Sequence, residues 1–96
     1  MQLDVLLREI DLAAVAGDLP GARSALERTN AIWGSISTKP PLRGSPAART
    51  FDRQLADLDR RIAAGRPQPV QRSALAALEG VDALEVVFES RGKSAP

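Results

Sequence analysis

Apolar residues recur at three-and-four spacing in four stretches of the chain, the signature of amphipathic helices. Over residues 2–16, Leu3, Leu6, Leu7, Ile10, Ala13 and Ala14 fall on one face. Over 19–36 the stripe is Ala22, Ala25, Leu26, Thr29, Ile32, Trp33 and Ile36, and over 46–64 it is Ala48, Phe51, Leu55, Leu58 and Ile62. A fourth helix, at about 69–89, carries Val70, Ala74, Ala77, Leu78, Val81, Leu84 and Phe88. Between these faces lie Arg, Asp, Glu and Ser. Val5 and Leu12 stand one heptad apart on the first helix, away from its stripe. Trp33 reads as a core anchor rather than a ligand-stacking ring, because buried indoles mostly pack. Thr29, in mid-stripe, can return its hydroxyl to the preceding turn.

The punctuation between helices is explicit. Gly17 suits the left-handed residue that closes a helix, and Asp18 can cap the next one. Pro20 then falls in the first turn, where a missing N–H costs nothing. Gly65, Pro67 and Pro69 repeat the device. Pro40-Pro41 interrupts any helix across the loop at 37–45, and Ser45-Pro46 restarts one as cap and first position. Connections this short make consecutive helices antiparallel neighbours. The two halves also align at an offset of 48: Asp4, Leu7, Ile10 and Asp11 correspond to Asp52, Leu55, Leu58 and Asp59, and Ala16-Gly17 to Ala64-Gly65. With a one-residue shift, Ser24-Ala25-Leu26 matches Ser73-Ala74-Leu75. One hairpin cannot bury its own stripe, but two facing hairpins can. The expectation is therefore an all-α, antiparallel four-helix bundle, a single domain over 1–96. It comprises a hairpin at 2–36, a proline loop at 37–45, a second hairpin at 46–89 and a polar, fraying tail at 90–96. Gly80, in mid-helix, suggests the close approach of a neighbour such as the Trp33 ring.

Composition narrows the chemistry. The chain has no Cys and no His, which removes disulfides, thiolate metal sites and the commonest general base. Its net charge of +1 gives no global pull toward nucleic acid or anionic membrane. Charge divides by helix: Asp4, Glu9, Asp11 and Asp18 oppose only Arg8 in the first, while Arg23, Arg28, Lys39 and Arg43 oppose only Glu27 in the second helix and its loop. Lys39, Arg43, Arg49 and Arg53 form a mildly basic rim, too dilute and too poor in aromatics for nucleic-acid binding. On the third helix, Arg53/Asp57 and Asp57/Arg61 are spaced for i,i+4 pairs on a solvated face. No run is long enough to span a bilayer. The start, Met1-Gln2-Leu3-Asp4, lacks the basic and apolar stretches of a signal peptide. A removed targeting segment would leave no trace, so the compartment stays open between cytoplasmic and extracytoplasmic.

Three constellations are candidates for function. The repeated Asp-x6-Asp pairs, Asp4/Asp11 and Asp52/Asp59, could gather four carboxylates on one side of the bundle, a donor set for a divalent metal or iron. Their structural reading is as ordinary boundary residues of amphipathic helices. Glu85 lies close to the fourth stripe and can reach out to solvent. Val5, Leu12, Leu75, Val86 and Val87, at or beyond the stripe edges of the first and fourth helices, could seat a protein partner or a second copy. No Ser or Lys has a base at recognisable spacing, and no Gly-rich phosphate loop is present, so no enzyme is expected.

The pattern Ala16-Gly17-Asp18 … Ala22-Arg23-Ser24-Ala25-Leu26, with Trp33 closing the helix, resembles small extracytoplasmic helical-hairpin domains associated with bacterial high-affinity iron permeases. The resemblance covers residues 3–36 and, more faintly, 51–88. It implies metal handling at the cell envelope, although the permease's paired-glutamate iron motif is absent. The reading favoured by the residues is a non-enzymatic helical protein-interaction domain that self-associates, with no cofactor, no nucleic-acid partner and no direct membrane insertion. The alternative is an extracytoplasmic metal-binding accessory domain using the repeated aspartates.

Overall fold

Each helix begins and ends where side-chain chemistry can satisfy its free backbone groups. In the computed structural model, which describes residues 2–40 and 42–94 and side chains through Val87, α1 spans Gln2–Val15, α2 Leu19–Ile36, α3 Pro46–Ala64 and α4 Pro67–Ser94. The α1–α2 turn uses every device that its sequence offers. Gly17 takes φ +74°. Its N–H donates to Ala14 O at 3.0 Å and the Asp18 N–H to Ala13 O at 2.7 Å, the paired bonds of a Schellman stop. The same Asp18 starts α2, its carboxylate accepting from the Gly21 N–H at 3.0 Å. Gly21 is itself part of the cap, since a Cβ there would collide with the Asp18 carboxylate. Gly65 closes α3 at φ +77°, and the Ser45 hydroxyl oxygen accepts from the Ala48 N–H to open it.

The molecule is an antiparallel four-helix bundle of two hairpins. α1 packs closely on α2 and on α4, and α3 on α4, while α2–α3 is the thinnest of the four seams between neighbouring helices. That thin seam is bridged by long side chains. Arg23 pairs with Asp59, the Trp33 indole N–H donates to Asp52 Oδ1 at 2.6 Å, and the Trp33 ring stands edge-on to Phe51 with centroids 4.8 Å apart. Trp33 is buried, as a core anchor should be, and the Thr29 hydroxyl donates to Ala25 O at 2.8 Å.

Four details depart from the sequence reading. Leu42, in the proline loop, is fully buried: backbone bonds from Leu42 and Arg43 N–H to Lys39 O wind the loop into turns that drop this side chain into the end of the core. The neighbour at Gly80 is not Trp33 but α3, since a Cβ there would meet the Gln54 carboxamide and lie 3.1 Å from Phe51 Cδ1. α4 starts at Pro67 and its backbone stays helical to Ser94, past the expected end at 89. Pro67 and Pro69 fit within its first turn, and past Glu89 the sequence holds no proline until Pro96, so Gly92 weakens the helix without blocking it. The side chain of Phe88 and residues 95–96 lie outside the described parts.

The fourth departure concerns the repeat. The structural equivalence of α2 and α4 keeps the offset of 48 throughout, without the one-residue shift. Ala22/Val70, Ala25/Ser73, Leu26/Ala74, Thr29/Ala77 and Trp33/Val81 are all buried pairs, just as Leu3/Phe51, Leu7/Leu55, Ile10/Leu58 and Ala14/Ile62 are in α1 and α3. Leu75 thus takes the outward place of Glu27 rather than the inward place of Leu26, and both Leu75 and Glu27 are exposed.

Candidate functional sites

Two of the repeated aspartates, Asp52 and Asp59, join α3 to α2, and the two pairs do not converge. Asp52 accepts the Trp33 indole N–H and Asp59 pairs with Arg23, so both are turned toward the α2–α3 seam. Asp4 and Asp11 belong to α1, which sits across the bundle from α3 and makes its close contacts with α2 and α4. Among the described residues no group of three or more Asp or Glu is placed to hold a metal ion. The expected four-carboxylate site is therefore not assembled: a period of seven keeps each pair on one side of its own helix, but the diagonal placement of the two helices separates the pairs. Glu85 is partly exposed, in keeping with a carboxylate reaching out to solvent.

The most polar contact inside the second hairpin is one that the sequence pattern did not single out. Ser73 is buried on α4, and its hydroxyl donates to Asp57 Oδ2 at 2.5 Å. The Arg61 guanidinium donates to the same oxygen at 2.8 Å, and Arg60 reaches Oδ1 at 3.3 Å. The Ser73 hydrogen bond is the main cause holding the Asp57 carboxyl below its ordinary value of 3.8; burial works against it, and the two arginines reinforce it. A carboxylate so stabilised is a weak base, and the hydroxyl beside it is closed off from solvent, so this is a structural clasp between α3 and α4 rather than a nucleophile pair. Only the i,i+4 spacing of Asp57 and Arg61 was legible beforehand; Ser73 sits within an apolar stripe, where a small polar residue leaves no periodic signal.

The apolar candidates are where expected, with one exception and one addition. Val5, Leu12, Leu75 and Val86 are 57%, 66%, 54% and 59% exposed, whereas Val87 is partly buried against the core. Val15, at 65%, joins the exposed set. Val5 also lines an open groove of about 600 Å³ between the start of α1 and the end of α2, together with Gln2, Leu6, Arg28, Ala31 and Ile32. The groove's one charged residue, Arg28, is held by Glu9 at 2.6 Å. A second groove of similar volume is lined by Pro46, Arg49, Thr50, Asp52 and Arg53, three of them charged. Two arginines of the expected basic rim thus come together here, while Lys39 and Arg43 stay in the loop.

No helix among the described residues is long and apolar enough to cross a membrane. Compared with known proteins, the chain matches no family, no curated protein and no solved structure.

Proposed function

We propose that this chain is a non-enzymatic helical protein-interaction domain that self-associates through apolar side chains on the outer faces of its bundle. The observation that carries this reading is the set Val5, Leu12, Val15, Leu75 and Val86. Each is more than half exposed although the chain has a well-filled core of its own. Large aliphatic side chains left in water at this density, in a chain of 96 residues, favour a surface that is covered in use.

Sedimentation equilibrium tests the reading. Across roughly 10 µM to 0.5 mM, the range of weak to moderate association, the apparent mass should rise above the 10.2 kDa of one chain. A constant mass of one chain over that range would remove self-association.

A further inference from the structure

The two hairpins are copies of one structural unit, so each is an internal control for the other. In hairpin two (α3–α4) the positions equivalent to Val5 and Leu12 are Arg53 and Arg60, and the position equivalent to Ala31 is Glu79. The groove itself is closed there. Gln54, the equivalent of Leu6, reaches across to donate to Ala76 O at 2.9 Å and fills the space over Gly80, the equivalent of Ile32. In hairpin one (α1–α2) the same groove stands open and apolar. One copy of the unit thus seals and charges this groove, and the other leaves it open, with Arg28, paired to Glu9, as the one charged residue of its lining.

Resting on the self-association proposed above, we infer that the α1–α2 face is the contact and that its occupant is the same face of a second copy. Charge complementarity selects that occupant. Glu9 and Arg28 lie level with each other across the two helices. A twofold axis parallel to the helices sets α1 against α2 of the partner, antiparallel, and brings each Glu9 opposite the partner's Arg28. The four charges then alternate in a ring, and no charge is buried without a counter-ion, which is the condition for an ionic group inside an interface. Val5 of each copy, at the lip of its own groove, enters the partner's groove beside Ala31 and Ile32. A twofold axis perpendicular to the helices would instead set Glu9 against Glu9 and Arg28 against Arg28. Repetition of one patch on both subunits is the geometry of closed dimers.

The repeat also supplies the test variants, because hairpin two shows that the fold carries arginine at these positions. Val5→Arg and Leu12→Arg should each keep the helical circular dichroism and weaken dimerisation by at least about tenfold in sedimentation, as a desolvated anchor does when truncated or charged. Glu9→Arg should do the same, and adding Arg28→Glu to it should restore the dimer. Ala83→Glu, at an exposed position of α4 outside the apolar set, should leave dimerisation unchanged, and Leu75→Glu should weaken it far less than Val5→Arg does. A dimer that survives Val5→Arg but is lost with Leu75→Glu would overturn this face while leaving self-association standing. A dimer indifferent to both the single and the double charge change would overturn the twofold pairing. A wild-type chain that stays monomeric would remove both proposals together.

Discussion

Glycine shows how one atom decides the sign of a substitution in this chain. Gly34, on exposed α2, has open space where a Cβ would go, so Gly34→Ala should gain most of the helix-propensity difference, about 1 kcal/mol, and raise the melting temperature. Gly80 should behave in the opposite way. The same propensity favours alanine, but the new Cβ would meet the Gln54 carboxamide and press on Phe51, whose ring is fixed against Trp33. Overpacking of this kind costs about 1–3 kcal/mol, so Gly80→Ala should lower the melting temperature, and adding Gln54→Ala should recover part of the loss. Thermal unfolding of the three variants checks both signs. The sequence showed that Gly80 needed a reason, but the identity of the neighbour was out of reach, because periodicity gives the face of a helix and not what lies opposite.

At the scale of elements, the caps and clasps carry separable amounts of stability. Asp18→Ala removes the α2 cap and should cost about 1 kcal/mol in chemical denaturation. Asp57 makes the bundle sensitive to acid. Its folded-state carboxyl is held below the ordinary value, so it stabilises the fold above the unfolded value near 3.8, and that contribution is lost as pH falls through the lower folded value. Ser73→Ala removes the main cause of the shift. It should bring the Asp57 titration, followed by NMR, back up toward 3.8 and flatten the acid limb of the stability curve below about pH 4. The elements themselves were legible almost to the residue. Gly17, Asp18, Ser45 and Gly65 are stop and start signals with local causes, and local causes can be read from a string. Leu42 was not legible, since a buried leucine in a loop has no period to announce it. The true end of α4 was not either, because its last residues permit a helix without demanding one.

At the scale of the molecule, the offset of 48 was visible in the sequence, and it foretold that two like hairpins would face each other. The added one-residue shift was misleading. Three identities, Ser-Ala-Leu, suggest it, yet burial follows position and not identity, and Leu75 is exposed, as its place off the α4 stripe predicts. The same rule explains Asp52 and Asp59. A spacing of seven places both on one flank of α3, and α2, opposite, offers them an indole N–H and a guanidinium. The exposed apolar set was largely anticipated, because residues off the stripe are off it in any packing.

The unequal seams have a mechanical consequence. α1–α2, α1–α4 and α3–α4 are close, and α2–α3 is held by a few long side chains, so the bundle resembles a book with its spine along α1–α4 and its fore-edge along α2–α3. The loop at 37–45 is the ribbon across that fore-edge, pinned by Leu42. Cutting the ribbon would free the thinnest seam between neighbouring helices and leave the spine intact. The two hairpins, produced as separate chains, should therefore reassociate into one bundle.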